Sequence, residues 1–258
     1  MATNSSKLNA KFYNNFASIH DIMLPIEERL FGKSFFEYIF KKNSKKNEIL
    51  DCACGTGIHV ILLSKLGCKV DGMDLSSGMI KQAKINLKKF NIKADLKVGD
   101  FRKIKSVYGE KKYDVVACLG NSLAYMQTEK DLKKALGEMF NALKPNGMLI
   151  ISQRNYDKLL KDKKKYNAIQ QDKFTFLYIY NYLKRKVVFN IIAGVTNNNH
   201  TTFKTFKTTY NPILQKDLKK HMQEMGCRNI KFYNQGNEKE YFKFNKEGDE
   251  FFAITGVK

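Results

Sequence analysis

The sequence predicts an α/β protein: a doubly wound parallel sheet carrying an inserted antiparallel β-sheet. Three observations point there. Apolar strand-like runs alternate with amphipathic helical segments through the first two thirds of the chain. A Gly-rich turn, Gly55-Thr56-Gly57, joins one such strand to an apolar helix. After Tyr156 the texture changes to Thr- and aromatic-rich alternation, the pattern of antiparallel strands.

Taken in order, helices are expected at 10–21 and 26–42, then strand 48–53, helix 57–66, strand 68–73, helix 77–90, strand 93–99 and strand 113–118. Strands 48–53 and 113–118 are continuous apolar runs, as expected where both faces are buried. Helix 129–143 follows, with Leu132, Leu136, Met139, Phe140 and Leu143 on one face. Pro145-Asn146-Gly147 is expected to stop it, before strand 148–153. In 172–211 the runs "FTFLYIYNYL", "KVVFNIIAGV" and "TTFKTFKTTY" read as antiparallel strands. Lys184-Arg185-Lys186 and Asn197-Asn198-Asn199 form the turns between them. Helix 214–225 and strands 228–234 and 250–257 return to the main sheet.

Composition narrows the function classes. With 43% hydrophobic and 28% charged residues over 258 positions, the chain is an ordinary globular protein with one sizeable core. Apolar runs fall far short of the roughly 20 residues that span a bilayer, and the polar start, 1–9, lacks the core of a signal peptide. Five scattered cysteines lead to an expectation of reduced thiols and a cytoplasmic location. Cys52 and Cys54 have no second pair at zinc-site spacing, so no metal is expected. The net charge of +21 comes mostly from lysine. It fits a solvated lysine-rich surface, and it keeps RNA or another polyanion open as a rival substrate. Composition leaves monomer and homo-oligomer equally open.

The Gly-rich turn narrows them further. Its backbone can approach a ligand, and it opens a helix with an electropositive N-terminus. Asp74, at the end of the second strand, is placed to accept hydrogen bonds from a ribose diol. A dinucleotide site needs glycine or alanine at the sixth position of the turn, where this chain has Val60. A triphosphate site needs a Gly-Lys-Ser/Thr run, which the turn lacks. The remaining common ligand with a ribose and no phosphate is S-adenosylmethionine.

At this point "LDCACGTG", "DGMDLSSGMI" and "VGDF" resemble the consecutive motifs of the class I S-adenosylmethionine-dependent methyltransferases, over residues 48–153. The resemblance implies a Rossmann-like, seven-stranded methyltransferase sheet and S-adenosyl-L-methionine as cofactor. It divides the chain into an N-terminal helical lid, 1–47, a cofactor-binding core, 48–156, an inserted substrate-side sheet, 157–211, and closing elements, 212–258. Asp51, Ala53, Gly55, Thr56 and Gly57 would then wrap the methionine part, and Asp74 would grip the ribose. Leu75 and Met79 would pack around the adenine, although Met79 suits a core position equally well. Asp100 with Phe101 would meet the adenine amino group, and Leu119, Gly120 and Ser122 would close over the cofactor.

Two further segments, "ACLGNSLAYM" and "GMLIISQRNYDKLL", resemble glycine N-methyltransferase and the microbial glycine/sarcosine methyltransferases. Asn121 and Arg154 fall just past the carboxyl ends of adjacent strands, where open α/β sheets bind ligands. A guanidinium there can clamp a carboxylate in a bidentate fork, with an amide hydrogen bond from Asn121. The blander readings are a capping or surface arginine and an Asx-type turn. Arg29 falls where the resemblance places an arginine on the cofactor's carboxylate; an exposed charge beside Glu27 and Glu28 is the competing reading. Tyr13 and His20 belong to the lid segment, with His20 expected as a surface histidine rather than a base. Tyr210 matches a substrate-pocket tyrosine, while Tyr178, Tyr180 and Tyr182 are expected to pack within the sheet.

Between 160 and 200 other aromatic positions of the glycine enzymes are not clearly matched, and the chain has no tryptophan. The expectation is therefore N-methylation of a small amino acid or amine, such as glycine or sarcosine. In-line displacement on a sulfonium needs mainly positioning, so the sequence nominates no catalytic base.

Overall fold

The structure, a computed structural model, describes residues 4–29, 33–41, 48–110, 112–171, 173–197, 200–234 and 243–258. Three helices lead: α1 (Asn4–Met23), α2 (Ile26–Arg29) and α3 (Lys33–Lys41). The alternating core follows as β1 (Glu48–Asp51), α4 (Ile58–Lys65), β2 (Lys69–Asp74), α5 (Ser77–Lys89) and β3 (Asp95–Val98). A 3-10 turn at Phe101–Lys103 runs into α6 (Ile104–Tyr108), before β4 (Tyr113–Cys118) and a second 3-10 turn at Ser122–Tyr125. Then come α7 (Glu129–Asn141), β5 (Leu143–Arg154) and α8 (Tyr156–Asp162). The inserted strands are β6 (Tyr166–Gln171), β7 (Phe174–Tyr182), β8 (Val187–Asn197) and β9 (His200–Tyr210). The chain closes with α9 (Gln215–Glu224), β10 (Arg228–Tyr233) and β11 (Phe251–Val257).

Seven strands form one sheet in the order β10-β11-β5-β4-β1-β2-β3. Strands β1 to β5 pair in parallel, and β11 runs antiparallel to both its neighbours. Central positions such as Ile49, Leu50, Val115 and Val116 are fully buried because helices cover both faces. One layer is built with α3, α4 and α5, the other with α1, α7, α9 and the inserted sheet. Strand order reverses between β1 and β4, so the crevice beyond their carboxyl ends is the place for a ligand.

Four expectations need correction. The helix expected at 10–21 is longer, starting at Asn4. The one expected at 26–42 comprises α2 and α3, with 30–32 and 42 outside the described residues. Pro145-Asn146-Gly147 does not separate helix from strand. It lies inside β5, where the register shifts between Tyr113 and Val115 and Asn146 takes φ 59°. Two hydrogen-bonded ends hold that irregularity in the sheet: Tyr113 pairs with Leu143, and Val115 with Met148. The inserted sheet has four strands rather than three, because β6 pairs with β7 from Tyr166–Ile179 to Gln171–Phe174.

The inner face of the inserted sheet meets α1. Phe206 of β9 receives the rings of Phe12 and Phe16 at 6.2 and 5.2 Å between centroids. At the other side of α1, Asn14 Oδ1 accepts hydrogen bonds from Ser76 Oγ (2.7 Å) and Gly78 N (3.0 Å). One helix thus ties the N-terminus of α5 to the inserted sheet, across the ligand crevice.

Candidate functional site

Two cavities open on that crevice, and Tyr13, His20 and Tyr125 line both. The first, about 150 Å³, lies over the β1–α4 turn. The second, about 380 Å³, lies between α1, α8 and the inserted sheet.

The first cavity is built by β1, β2 and their following turns. Asp51 is fully buried; its Oδ1 accepts from Ala53 N at 3.2 Å, while Oδ2 has no hydrogen-bond partner. His59 Nδ1 is 3.9 Å from that oxygen, too far for a hydrogen bond. Burial, with Arg29 nearby, lowers His59 to about 3 and so keeps it neutral. Burial also raises Asp51 to about 7. Asp74 accepts from Ser76 N (2.8 Å) and Gly55 N (3.0 Å), which fixes its carboxylate and leaves further lone pairs for a diol. Burial raises it to about 6. Gly55 has φ +53°, and an added Cβ would meet no atom within 4 Å, so a side chain there would stand in the cradle.

Arg29 donates to Asp21 at 3.1 Å and keeps a buried Nε without a partner. Asp21 also accepts from Thr56 Oγ1 (2.5 Å) and Asn86 Nδ2 (2.7 Å). Burial raises Asp21, but the hydrogen bonds from His20, Thr56 and Asn86 outweigh it and leave the carboxyl below its usual range. At the far end, Asp100 caps the 3-10 turn and clasps Arg102 through Nε and Nη2 at 3.0 and 2.6 Å. Asp131 holds the same guanidinium from the other side. Leu75, Met79, Phe101, Leu119 and Met126 supply apolar walls.

The residues brought to this cavity are Tyr13, Arg29, Ala53, Gly55, Thr56, Asp74, Leu75, Met79, Asp100, Phe101, Leu119, Gly120 and Ser122. Met79 lines it while being 1% exposed, so it serves the core as well. Asp51 sits beneath the wall rather than in it. Gly57 is elsewhere: it takes φ +90°, and its missing Cβ avoids Leu87 Cδ1 at 2.8 Å. Its glycine answers to helix packing.

The second cavity holds Arg154, Tyr178, Tyr180, Phe189 and Tyr210. Tyr178 and Tyr180 therefore do more than pack the sheet, whereas Tyr182 stays outside. Asn121 lies behind the wall. Its Oδ1 accepts from Arg154 N (3.2 Å) and Tyr156 Oη (3.1 Å), and its Nδ2 is buried without a partner. It sits at φ +73°, next to Gly120 at +68°, and glycine followed by asparagine, the two residues that enter the left-handed region most readily, makes this tight exit from β4 possible. His20 is not the surface residue expected. It is mostly buried, with Nδ1 at 3.1 Å from Asp21, and burial lowers its pKa. Tyr125, which no motif in the sequence singles out, hydrogen-bonds Tyr13 at 2.6 Å and also Tyr210. The signal for it was faint: one aromatic in the loop after β4.

Two buried groups without partners flank the first cavity, Arg29 Nε in its lining, suited to a carboxylate, and Asp51 Oδ2 directly beneath its wall, suited to an ammonium. With Asp74 for a diol and an apolar slot beyond, its residues fit S-adenosylmethionine. Residues 49–147 match the family model described as a methyltransferase domain. These residues are a methyltransferase domain.

The methyltransferase domain is similar to curated proteins over a longer stretch. A glycine/sarcosine N-methyltransferase of Halorhodospira halochloris is 38% identical over 131 residues, which is 50% of this chain and 47% of that protein. Another, from Parasynechococcus marenigrum, is 36% identical over 140 residues, 54% of this chain and 48% of that protein. The chain thus spans about half the length of the curated relatives it matches. A solved S-adenosylmethionine-dependent methyltransferase from Clostridium acetobutylicum superposes with TM-score 0.78 at 21% identity, covering 95% of this chain and 98% of that one. That likeness fixes the fold of the methyltransferase domain together with its inserted sheet. Among the described residues no group of three or more His, Cys, Asp or Glu could hold a metal, and no helix is long and apolar enough to cross a membrane.

Proposed function

We propose that this chain is an S-adenosylmethionine-dependent N-methyltransferase acting on the amine of an amino acid. Glycine and sarcosine, the acceptors in the relatives' names, are the first to test. One observation carries the reading. The Arg154 guanidinium lies among Phe251, Tyr180 and Phe189, at 4.8, 5.6 and 5.9 Å from their ring centroids. Glu250, which lines the same cavity, pairs instead with Lys164 at 3.8 Å. Aromatic contacts engage the faces of a guanidinium and leave its N–H edge free for a bidentate carboxylate.

Held by Asp74, Arg29 and the Gly55 turn, the cofactor would supply an activated methyl for the amine nitrogen and would keep the S–C bond pair as it leaves, with one amine proton left for the protein to accept. Everything else is positioning. Arg154 holds the carboxylate, and Asn121 holds the Arg154 backbone. The hydroxyls of Tyr13, Tyr125 and Tyr210 accept hydrogen bonds from the amine; burial raises all three pKa values, so none of them serves as the base. His20 takes that part. Its Nδ1 lies 3.1 Å from Asp21, burial lowers its pKa and so favours the neutral ring, and it lines both cavities.

Arg154→Lys keeps the charge and loses the fork. The amino-acid KM should rise at least about 30-fold, the lower end of breaking a buried charged pair at about 2 kcal/mol, while cofactor affinity holds. An unchanged KM would sink the clamp. A polymeric acceptor, raised by the +21 charge, finds less support here, because the cavity that Arg154 lines is mostly walled by apolar and aromatic side chains rather than by a run of cations.

A further inference from the structure

The cavity behind Arg154 is longer than glycine requires. Tyr180 and Phe189, which stack on Arg154, face each other across β7 and β8. The lining continues past them. Tyr178 and Ile191 form the next inward pair, and Ile169 sits one row further, opposite Phe176. Inward rows recur every second residue, roughly 6.7 Å along a strand. The lined floor therefore runs on the order of 13 Å beyond the row that holds Arg154. A glycine backbone spans at most about 3.6 Å.

The opposite wall comes from Phe12 and Phe16 of α1 and Leu159 of α8. Polar groups enter the lining at Asn167, which pairs with Tyr178 in the floor, and at Lys158, Asp162 and Lys164 around α8, so the extension is mainly apolar with one polar side. Its direction is also set. The tyrosine hydroxyls and His20, where the amine must meet the cofactor, lie at the junction of the two cavities, and Tyr210 stacks on Phe189 at 5.5 Å. Amine and carboxylate sites are thus neighbours at one end, and the apolar length leads away from both. The whole cavity, about 380 Å³, has room for about a dozen waters at roughly 30 Å³ each.

We propose that the acceptor is an α-amino acid with a long apolar or aromatic side chain, lodged between α1 and the β6–β8 floor. This rests on the N-methyl-transfer reading above and narrows its substrate. Unfilled apolar surface gains nothing from glycine, whereas each extra methylene in such a pocket is worth roughly 10–200-fold in discrimination.

The test is an acceptor panel with labelled cofactor: glycine, sarcosine, alanine, leucine, phenylalanine and phenethylamine, with product nitrogen located by mass spectrometry. Leucine or phenylalanine should exceed glycine in kcat/KM by at least about 100-fold, and phenethylamine, which lacks the carboxylate, should fall well below phenylalanine. Glycine or sarcosine at parity or better would overturn the proposal while leaving N-methyl transfer intact. Cofactor binding by calorimetry with no methylation of any amino acid would remove the underlying reading, and the proposal with it. Ile191→Phe shortens the cavity and should move the phenylalanine-to-glycine ratio at least tenfold toward glycine; an unmoved ratio counts against the assigned lodging site. Should that variant misfold, the wild-type panel decides alone.

Discussion

Asp51 shows how one buried oxygen links stability to binding. Its carboxyl is raised to about 7 by burial, so below that pH it is protonated and cannot pair with an ammonium. Cofactor affinity should therefore increase from pH 6 to pH 8, with a proton released near neutrality, and calorimetry in buffers of different ionisation heat measures both. Asp74, raised to about 6, acts in the same direction. The stability sign is opposite. A folded pKa above the unfolded value means that stability is fully present below about pH 4 and lost as pH climbs through about 7. Asp51→Asn should accordingly raise the melting temperature of the cofactor-free protein at pH 8, keep the bond from Ala53 N, and weaken the cofactor at least about tenfold. A variant that melts lower and binds equally well would contradict both halves. His20 adds a kinetic counterpart: His20→Gln should lower kcat with little change in the amino-acid KM, because it removes a proton acceptor and not a clamp.

At the scale of elements, α1 decides access. The cofactor cavity, at about 150 Å³, takes Asn9, Tyr13 and His20 of α1 into its lining, so the seat of α1 sets the room left for the ligand. Its hold on α5 is close: an added Cβ at Gly78 would meet the Asn14 Cα at 3.1 Å. Gly78→Ala should push α1 outward and weaken cofactor binding several-fold while the sheet stays folded. Proteolysis within α1, slowed by cofactor in the parent and less so in the variant, is the readout. Strands β1 and β4 were legible because burial on both faces writes a continuous apolar run. Helix α8 and strand β6 were not, since "YDKLLKD" and "YNAIQQ" are short and half polar, and only neighbouring strands and α9 complete them. Pro145-Asn146-Gly147 misled for a related reason. A turn signal and a strand irregularity use the same residues, and the partner strand chooses between them. Gly147→Ala would set a Cβ 2.8 Å from Lys144 O, so it should cost on the order of 1–3 kcal/mol in stability.

For the whole molecule, 46 cationic against 25 acidic side chains leave a net charge of +21. Several lysines are paired at the surface, as Lys89 with Glu27 and Lys144 with Glu48, yet the cationic side chains outnumber the acids by 21. Self-repulsion of that size destabilises the compact state and is screened by salt. The melting temperature should rise between 10 mM and 300 mM salt; a fall would mean that attractive pairs dominate instead.

By itself the sequence determined the donor half of the site. Gly55-Thr56-Gly57, Val60 and Asp74 lie close together in the chain, and one strand-turn-helix-strand unit carries all the geometry they need. It also pointed to Arg154, from its place past a strand's carboxyl end, and to Tyr210, from the family resemblance, and both line the second cavity. Only the tertiary structure decided that Asn121 braces Arg154 instead of lining the cavity, and that His20 and Tyr125 stand between two cavities. It alone set how far the acceptor cavity extends. Those facts depend on α1, β5 and the inserted sheet meeting across more than a hundred residues of chain, where no local spacing records the contact.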